Sequence, residues 1–300
     1  SYTINIAVTD VSAVPTWTGT EWINGTASGS VPAIIGGNYA STGNLTVGEL
    51  TIKNNSVVVF QSGHNLTING KLTVEPGSTL TLENNANLIQ TTDVGNIGNI
   101  VVKRNSNALS RLDYTMWSSP VDGQNLVNFS PLTTQTPSRF YTYSAASILY
   151  TPVEAPTITN FATGTGYLIR MPNTAVTAPA TETFVGKFTG VPNNGTVTLS
   201  GLTPSKFYAV GNPYPSTISA SSFFAANSTG LTLYFWRKRN GALGSTYATY
   251  TSVGGTTTSQ SSDAPNGTIQ VGQGFIVKTG EAVTSLTFTN AMRTANNSNQ

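Results

Sequence analysis

A tripeptide of the form apolar-Thr-apolar recurs between residues 44 and 90 and constrains the fold more than any other feature. Its copies are Leu45–Val47, Leu50–Ile52, Leu66–Ile68, Leu72–Val74 and Leu80–Leu82. Matched by context, equivalent positions lie 21 residues apart (Leu45 to Leu66) or 22 apart (Leu50 to Leu72), so the unit is three short strands in about 22 residues. Fixed periods of this size are typical of solenoids, and strand pleating places both apolar residues on one face. The sequence therefore predicts a short β-solenoid.

The solenoid needs other structure at both ends. The repeat supplies just over two coils, ending near Arg104, whereas a free-standing solenoid needs about three because each coil buries its apolar face only against a neighbour. We interpret residues 10–43, with Trp17 and Trp22 among turn formers, as an irregular lead-in that covers the first coil. Residues 1–105 are thus predicted to hold an N-terminal strand, this lead-in and the solenoid.

A second, longer repeat lies in residues 106–300, where aromatic-rich segments alternate with Gly, Pro and Asn. Four pairs match in nearly the same order: Tyr114–Pro120 with Tyr208–Pro215, Arg139–Tyr141 with Leu233–Phe235, Gly164–Arg170 with Gly272–Lys278, and Lys187–Gly190 with Thr287–Asn290. They predict a duplicated β unit with halves at about 112–190 and 206–290, as two halves of one sandwich or two tandem sandwiches. The expected fold class is all-β: a short N-terminal β-solenoid packed on or preceding a duplicated, jelly-roll-like β-sandwich.

Composition excludes several function classes. Charged residues make up 9% of the chain and the formal net charge is +2, which is too small to favour nucleic acid or an anionic membrane. No run approaches the roughly 20 apolar residues of a membrane helix, so we expect no membrane insertion. The absence of cysteine excludes disulfide and thiol chemistry.

No pattern of residues indicates catalysis, a cofactor or a metal. The single histidine, His64, has no second histidine or cysteine to accompany it and is interpreted as a turn residue. The twelve carboxylates are scattered singly; Glu49, Glu75 and Glu83 on the solenoid surface are the best candidates for a glycosidase pair. We predict that the protein is not an enzyme and assign no catalytic, cofactor-binding or metal-binding residues.

One dense basic run, Trp236 to Arg239, precedes an Asn-Gly hairpin signal. Its cations either flank a surface turn or contact an acidic glycan or partner. Exposed aromatic residues stack on sugars, although a sandwich core also uses them. The candidate contacts for a glycan or partner are Trp117, Trp236, Arg237, Lys238 and Arg239. The Gly164-Thr-Gly166 and Gly272-Gln-Gly274 motifs each precede a strand and are interpreted as bulges or tight strand entries, not phosphate loops.

The N-terminal segment alternates, with Tyr2, Ile4, Ile6 and Val8 on one face and no hairpin partner nearby in sequence. Such a strand can add to a sheet edge of a neighbouring molecule and build a filament by donor-strand pairing. Pairing within its own chain is the alternative.

Several motifs in order resemble a known family. They are Trp17–Gly25, Leu82–Gln90, Asp113–Pro120, Gly166–Pro172, Gly211–Ser216, Gly272–Phe275 and Phe288–Arg293. Together they resemble the passenger region of Bacteroidota proteins exported by the type IX secretion system. The resemblance implies an extracellular or cell-surface location, no known catalytic activity, and export through a C-terminal sorting domain that would follow Met292–Asn297 and is expected to have been removed.

We therefore expect a non-catalytic structural or adhesive protein of the cell surface, with further copies of itself or surface glycans as partners. A carbohydrate-binding module is the alternative, and a polysaccharide-acting enzyme comes third. Solvent-exposed tryptophans would favour the module, and two carboxylates within about 10 Å in a cleft would favour the enzyme.

Overall fold

The computed structural model describes residues 13–238, 246–256 and 264–296. The predicted assembly strand, with Tyr2, Ile4, Ile6 and Val8, lies outside the described residues, and so does Arg239. Within the described ranges the chain is almost entirely β, as predicted.

The N-terminal part is a three-faced β-solenoid of about four turns. Its strands are β1 (Thr16–Trp17), β2 (Trp22–Ile23), β3 (Ala33–Ile35), β4 (Tyr39–Ala40), β5 (Leu45–Val47), β6 (Leu50–Ile52), β7 (Val57–Phe60), β8 (Asn65–Ile68), β9 (Leu72–Val74), β10 (Thr79–Leu82), β11 (Asn87–Gln90) and β12 (Ile100–Leu109). The faces are the sheets β2-β1-β3-β6-β9, β4-β7-β10-β12 and β5-β8-β11. Strands in successive turns pair in parallel with inward apolar residues in register, such as Leu50 with Leu72.

The solenoid is longer than the predicted two and a fraction coils, because β3 and β4 belong to it. They lie inside the segment predicted to be an irregular lead-in, and that part of the prediction is wrong. Their apolar-Thr-apolar signature is missing: Ile34 takes the outward position that Thr51 takes in the next turn. Burial depends on the inward positions alone, and Ala33 and Ile35 are both buried.

The segment that covers the first turn is shorter than the predicted residues 10–43. It is the β1–β2 hairpin, in which Trp17 pairs with Trp22. The two indoles and Tyr39 pack edge to face, with ring centroids 5.3 to 6.5 Å apart. Tyr39 continues the contact to Phe60 in the core of the next turn. These aromatic rings cover the apolar end that an open solenoid would expose to water.

The first β unit continues from β12. Its elements are β13 (Tyr114–Trp117), β14 (Val121–Asp122), α1 (Leu126–Phe129), β15 (Phe140–Ser144), β16 (Leu149–Pro152), β17 (Tyr167–Arg170) and β18 (Glu182–Pro192). One sheet has the order β13-β17-β15-β16, and β18 lies between β12 and β14. Because β12 pairs with solenoid strand β10 on one side and with β18 on the other, solenoid and first unit share one sheet.

The second β unit contains β19 (Val197–Ser200), β20 (Phe207–Gly211), β21 (Thr217–Ser219), α2 (Ala220–Asn227), β22 (Thr232–Arg237), β23 (Thr246–Thr251), β24 (Gly254–Thr256), β25 (Thr268–Ile269), β26 (Gly274–Lys278), β27 (Ser285–Phe288), the 3-10 turn Asn290–Met292 and β28 (Arg293–Thr294). Its sheets are β20-β26-β22-β23-β24, β19-β27 and β25-β21-β28.

The two units share a strand order in their large sheets. Four strands of each large sheet correspond, and β24 is an extra strand at the edge of the second sheet. Among the four, the first pairs with the fourth, the fourth with the second, and the second with the third: β13-β17-β15-β16 and β20-β26-β22-β23. In each unit a short helix separates the first and second of these strands, and the preceding strand pairs with the following one, β12 with β18 and β19 with β27.

Aromatic residues build the core of the first unit. Phe129 of α1 stacks on Phe188 at 4.5 Å and meets Trp117, Phe161 and Phe184 edge to face at 5.2 to 5.5 Å. These rings belong to the same apolar cluster as the solenoid interior, whereas the second unit has a separate cluster around α2, β22, β26 and β27. Solenoid and first unit therefore fold around one continuous core.

The tyrosine pair between β16 and β23 predicts how stability depends on alkaline pH. The hydroxyls of Tyr150 and Tyr247 lie 2.7 Å apart, and burial together with this hydrogen bond raises the pKa of Tyr150. An unfolded tyrosine ionises near pH 10. Above that pH the unfolded chain loses a proton that the folded chain keeps, so the free energy of unfolding falls by up to about 1.4 kcal/mol per pH unit for each such tyrosine.

Urea unfolding at pH 8 and pH 11 checks this expectation. Tyr150→Phe is expected to lose less stability between the two pH values than the wild type, because a phenylalanine has no proton to release. Equal losses in both proteins would contradict the assignment.

Candidate functional site

A cleft of about 330 Å³ lies between the two β units. Its walls come from the end of β12, from β13, from the end of β22 and from the loop leading into β26. The lining residues are Arg104, Asn105, Ser106, Asn107, Thr115, Met116, Trp117, Phe235, Trp236, Arg237, Lys238, Pro265, Thr268, Gln270, Val271, Gly272, Gln273 and Gly274. Volumes of roughly 300 to 1,000 Å³ are typical of small-molecule sites.

The cleft lies beside an interface in which the two units make reciprocal contacts. Trp117, at the end of β13, forms an isolated bridge with Gln273, which precedes β26. The equivalent residue of the second unit, Val210 in β20, forms a bridge with Thr165, which precedes β17. Thus β13 contacts the residues before β26, and β20 contacts the residues before β17. Because these contacts are reciprocal, an approximate two-fold axis relates the units.

Backbone hydrogen bonds repeat the same reciprocity. The N–H of Ser118 donates to the Gly272 carbonyl at 2.9 Å, and the N–H of Gly211 donates to the Gly164 carbonyl at 2.9 Å. Both acceptor glycines have positive φ, +70° and +74°. A Cβ on Gly274 would lie 2.5 Å from Met116 Cγ. The two Gly-x-Gly motifs are therefore the tight strand entries that the sequence predicted.

A β-bulge shapes one wall of the cleft. The pairing of β12 with β18 shifts register between Asn105 and Ala108. Ser106, in the bulge, accepts a hydrogen bond from the Phe184 N–H at 2.9 Å, and the Asn105 N–H donates to Asn84 Oδ1 at 2.9 Å. Bulges redirect side chains at sheet edges. This bulge brings two asparagines, Asn105 and Asn107, into the lining.

Four of the five residues predicted to contact a glycan or partner line this cleft. Trp236 is half-buried; its Nε1–H donates to the Tyr114 carbonyl at 3.0 Å, and its ring packs edge to face on Tyr247. Arg237 and Lys238 follow it in the wall. Trp117 is only 4% exposed, so it belongs to the core and contributes the floor.

Arg104 is the cleft residue that sequence reasoning missed, because the run Lys103-Arg104-Asn105 was interpreted only as the exit from the solenoid. The side chain is 7% exposed and donates from Nη1 to Asn85 Oδ1 at 2.6 Å. Burial lowers the pKa of its guanidinium to about 10. Among the described residues, no carboxylate forms an ion pair with it.

The remaining charges leave the cleft cationic. Lys238 pairs with Asp113 at 3.1 Å, and Asp113 also accepts a hydrogen bond from the Ser110 N–H at 2.9 Å. Among the described residues, no aspartate or glutamate lines the cleft. Gln270 is 2% exposed, and its Nε2 has no hydrogen-bond partner within the described part of the chain. Within the described part of the chain, the site thus offers one buried hydrogen-bond donor without a partner, Gln270 Nε2, and no carboxylate.

The other residues weighed for catalysis lie elsewhere. His64 shares a 2.8 Å hydrogen bond between Nδ1 and Ser41 Oγ in a solenoid turn, and Glu83 forms an ion pair with Lys103 at 2.7 Å. The described residues contain no group of three or more His, Asp or Glu side chains placed to hold a metal ion. In the same ranges, no helix has the length and apolar character to cross a membrane.

Comparison with known proteins gives a family and no named relative. No curated protein and no solved structure matches the chain. One family profile matches residues 11–300, nearly the whole sequence, and the chain therefore belongs to the family described as Domain of unknown function (DUF8693).

Proposed function

We propose that the protein is a non-catalytic structural and adhesive protein of the bacterial cell surface. This proposal rests on one observation: the second β unit packs against the solenoid, although the first β unit lies between them in sequence. A surface scaffold must hold its shape under load, and contacts between its first and last segments provide that rigidity.

An asparagine ladder makes part of this closure. Asn65 and Asn87 occupy the same position in successive turns, and Asn87 Nδ2 donates to Asn65 Oδ1 at 2.9 Å. At the end of the ladder, Asn87 Oδ1 accepts from the Thr217 N–H at 2.9 Å, and the Leu88 N–H donates to the Pro215 carbonyl at 2.7 Å. The edge of one solenoid sheet is thus covered by the second unit.

The C-terminal end of the second unit adds further contacts. Asn290 Nδ2 donates to the Thr92 carbonyl at 3.1 Å and to Asp93 Oδ1 at 3.0 Å. Arg293 lies over the Tyr214 ring at 4.2 Å and donates to the Asn193 carbonyl at 2.8 Å. The described chain therefore begins at the solenoid cap and returns to the solenoid near its last strand.

Location and assembly rest on sequence. The resemblance to type IX secretion passengers supports an extracellular or cell-surface location and export through a sorting domain. The alternating strand with Tyr2, Ile4, Ile6 and Val8 supports filament growth by donor-strand pairing.

Electron microscopy of the purified protein tests the assembly. The full chain is expected to form filaments, and a variant lacking residues 1–9 is expected to remain monomeric because it has no donor strand. Unchanged assembly after the deletion would remove donor-strand pairing. Turnover of a polysaccharide by the purified protein would contradict the non-catalytic function itself.

Carbohydrate binding is the second candidate, and the cleft favours it. A half-buried indole beside neutral amides and cations provides stacking and hydrogen bonds to sugar hydroxyls. A glycan array separates a carbohydrate-binding protein from a purely structural one.

A further inference from the structure

We infer that the cleft between the two β units binds an acidic sugar residue, with a carboxylate or sulfate group placed against Arg104. This inference deepens the second candidate function and rests on it, since it names the class of carbohydrate. It uses only residues on β12, β13, β22 and the loop into β26.

The charge of the buried Arg104 guanidinium favours an anionic ligand. A guanidinium removed from water is costly unless an anion and hydrogen bonds replace its hydration. Arg104 is 7% exposed, and among the described residues its side chain donates a hydrogen bond to the neutral Asn85 amide and forms no ion pair with a carboxylate. An anion in the cleft would supply the missing charge. Planar guanidinium groups bind carboxylate and sulfate oxygens with paired hydrogen bonds.

The rest of the cleft lining suits the neutral part of a sugar. A sugar acid needs one anion site and several neutral donors and acceptors for its hydroxyls. Gln270 contributes a buried, unpartnered Nε2, and Gln273, Asn105 and Asn107 add further amides. Trp236 contributes a half-buried aromatic ring. An indole with one apolar face and neutral polar neighbours is a stacking surface for a sugar ring.

The small number of cations in the cleft favours a sugar acid over a nucleic acid. Binding to a phosphodiester backbone depends on several cations that each neutralise a phosphate. The cleft holds three cations, and one of them, Lys238, already pairs with Asp113 at 3.1 Å. The whole chain carries a net charge of only +2. A single acidic group on a largely neutral ligand fits this balance better.

Calorimetric titration of the full chain tests the inference with four probes: an oligogalacturonate, its methyl ester, a sulfated disaccharide and a single-stranded oligonucleotide. The test variant is Arg104→Gln, which keeps a hydrogen-bonding group beside Asn85 and removes the charge. The matched control is Lys103→Gln, the neighbouring cation on β12, which pairs with Glu83 and does not line the cleft.

We expect the wild type to bind the oligogalacturonate or the sulfated disaccharide at least about tenfold more tightly than the methyl ester. Arg104→Gln should lose about tenfold or more of that affinity while its thermal midpoint stays the same or rises, because a buried cation has been removed. Lys103→Gln should bind within about twofold of the wild type. Which acidic probe binds identifies the group as carboxylate or sulfate.

The negative outcomes are distinguishable. Equal binding of acid and ester overturns the acidic specificity and leaves carbohydrate binding standing. No binding of any saccharide overturns both. Unchanged affinity in Arg104→Gln, or tighter binding of the oligonucleotide than of every saccharide, also overturns the inference.

Discussion

Gly211→Ala is expected to destabilise the protein by about 3 kcal/mol or more, because a new methyl group has no space at the two-fold interface. A Cβ at this position would lie 2.2 Å from Ser118 Cβ and 2.6 Å from Ser118 Oγ. Both residues are buried, and backbone hydrogen bonds to Gly164 and Gly272 fix their strands. Relief of the clash requires the two units to move apart. Urea unfolding followed by circular dichroism measures the loss.

The equivalence of Ser118 and Gly211 supplies the decisive control. Ser118→Gly removes the clashing Cβ together with a hydroxyl that has no hydrogen-bond partner among the described residues, so it is expected to cost about 1 kcal/mol or less, mainly through the added backbone freedom of glycine. In the double variant Ser118→Gly/Gly211→Ala the two residues are nearly exchanged across the axis, and most of the lost stability should return. The matched control is Gly43→Ala, where nothing lies within 4 Å of the added Cβ. Additive effects of Ser118→Gly and Gly211→Ala would contradict the predicted clash.

The sequence predicts strands and their duplication well, because both leave local patterns. The matched Gly-x-Gly motifs at Gly164 and Gly272 predict equivalent strand entries, and both glycines have the same left-handed backbone. The same motifs do not predict which residues of the other unit they contact. Contact between Ser118 and Gly211 depends on how two units dock, and no periodicity within one unit encodes that.

The length of the solenoid shows a different limit. The repeat in the sequence is recognisable by its outward threonine, but that position tolerates other residues because it faces away from the solenoid core. Ile34 occupies it in an earlier turn, where only the inward Ala33 and Ile35 keep the pattern. The inward apolar residues alone are needed to form a solenoid turn. A repeat pattern that also requires a particular outward residue therefore underestimates the number of turns.

The sequence predicts no cleft, but it singles out some of the residues that line it. The basic run at Trp236 to Lys238 is visible as the only dense charge in the sequence, and these residues line the cleft. Arg104 is more than 130 residues earlier in the chain, and the pair Lys103-Arg104 lies where the sequence predicts only the end of the solenoid. Its burial follows from the docking of β18 on β12 and from the bulge after Asn105, which are tertiary features.

Asn87→Ala is expected to lower the free energy of unfolding by about 2 to 4 kcal/mol and to weaken the coupling between solenoid and second unit. The substitution removes the hydrogen bond to Asn65 Oδ1 and leaves the buried Thr217 N–H without the acceptor that Asn87 provides. Each unpaired buried group costs about 1 to 3 kcal/mol. Chemical unfolding gives the stability, and amide hydrogen exchange at Thr217 reports the docking contact directly.

An isosteric variant separates the two hydrogen bonds. Asn87→Asp keeps the acceptor for Thr217 N–H but places an ionised carboxylate against Asn65 Oδ1, so at neutral pH it should be at least as unstable as the alanine variant. Burial raises the pKa of such an aspartate, and its stability should recover as pH falls toward about 4, the ordinary value, because the protonated form donates a hydrogen bond again. Asn128→Ala, at an exposed position in α1, is the control and should stay within about 0.5 kcal/mol of the wild type. An Asn87→Ala variant with wild-type stability and wild-type exchange at Thr217 would show that the ladder does not hold the second unit on the solenoid.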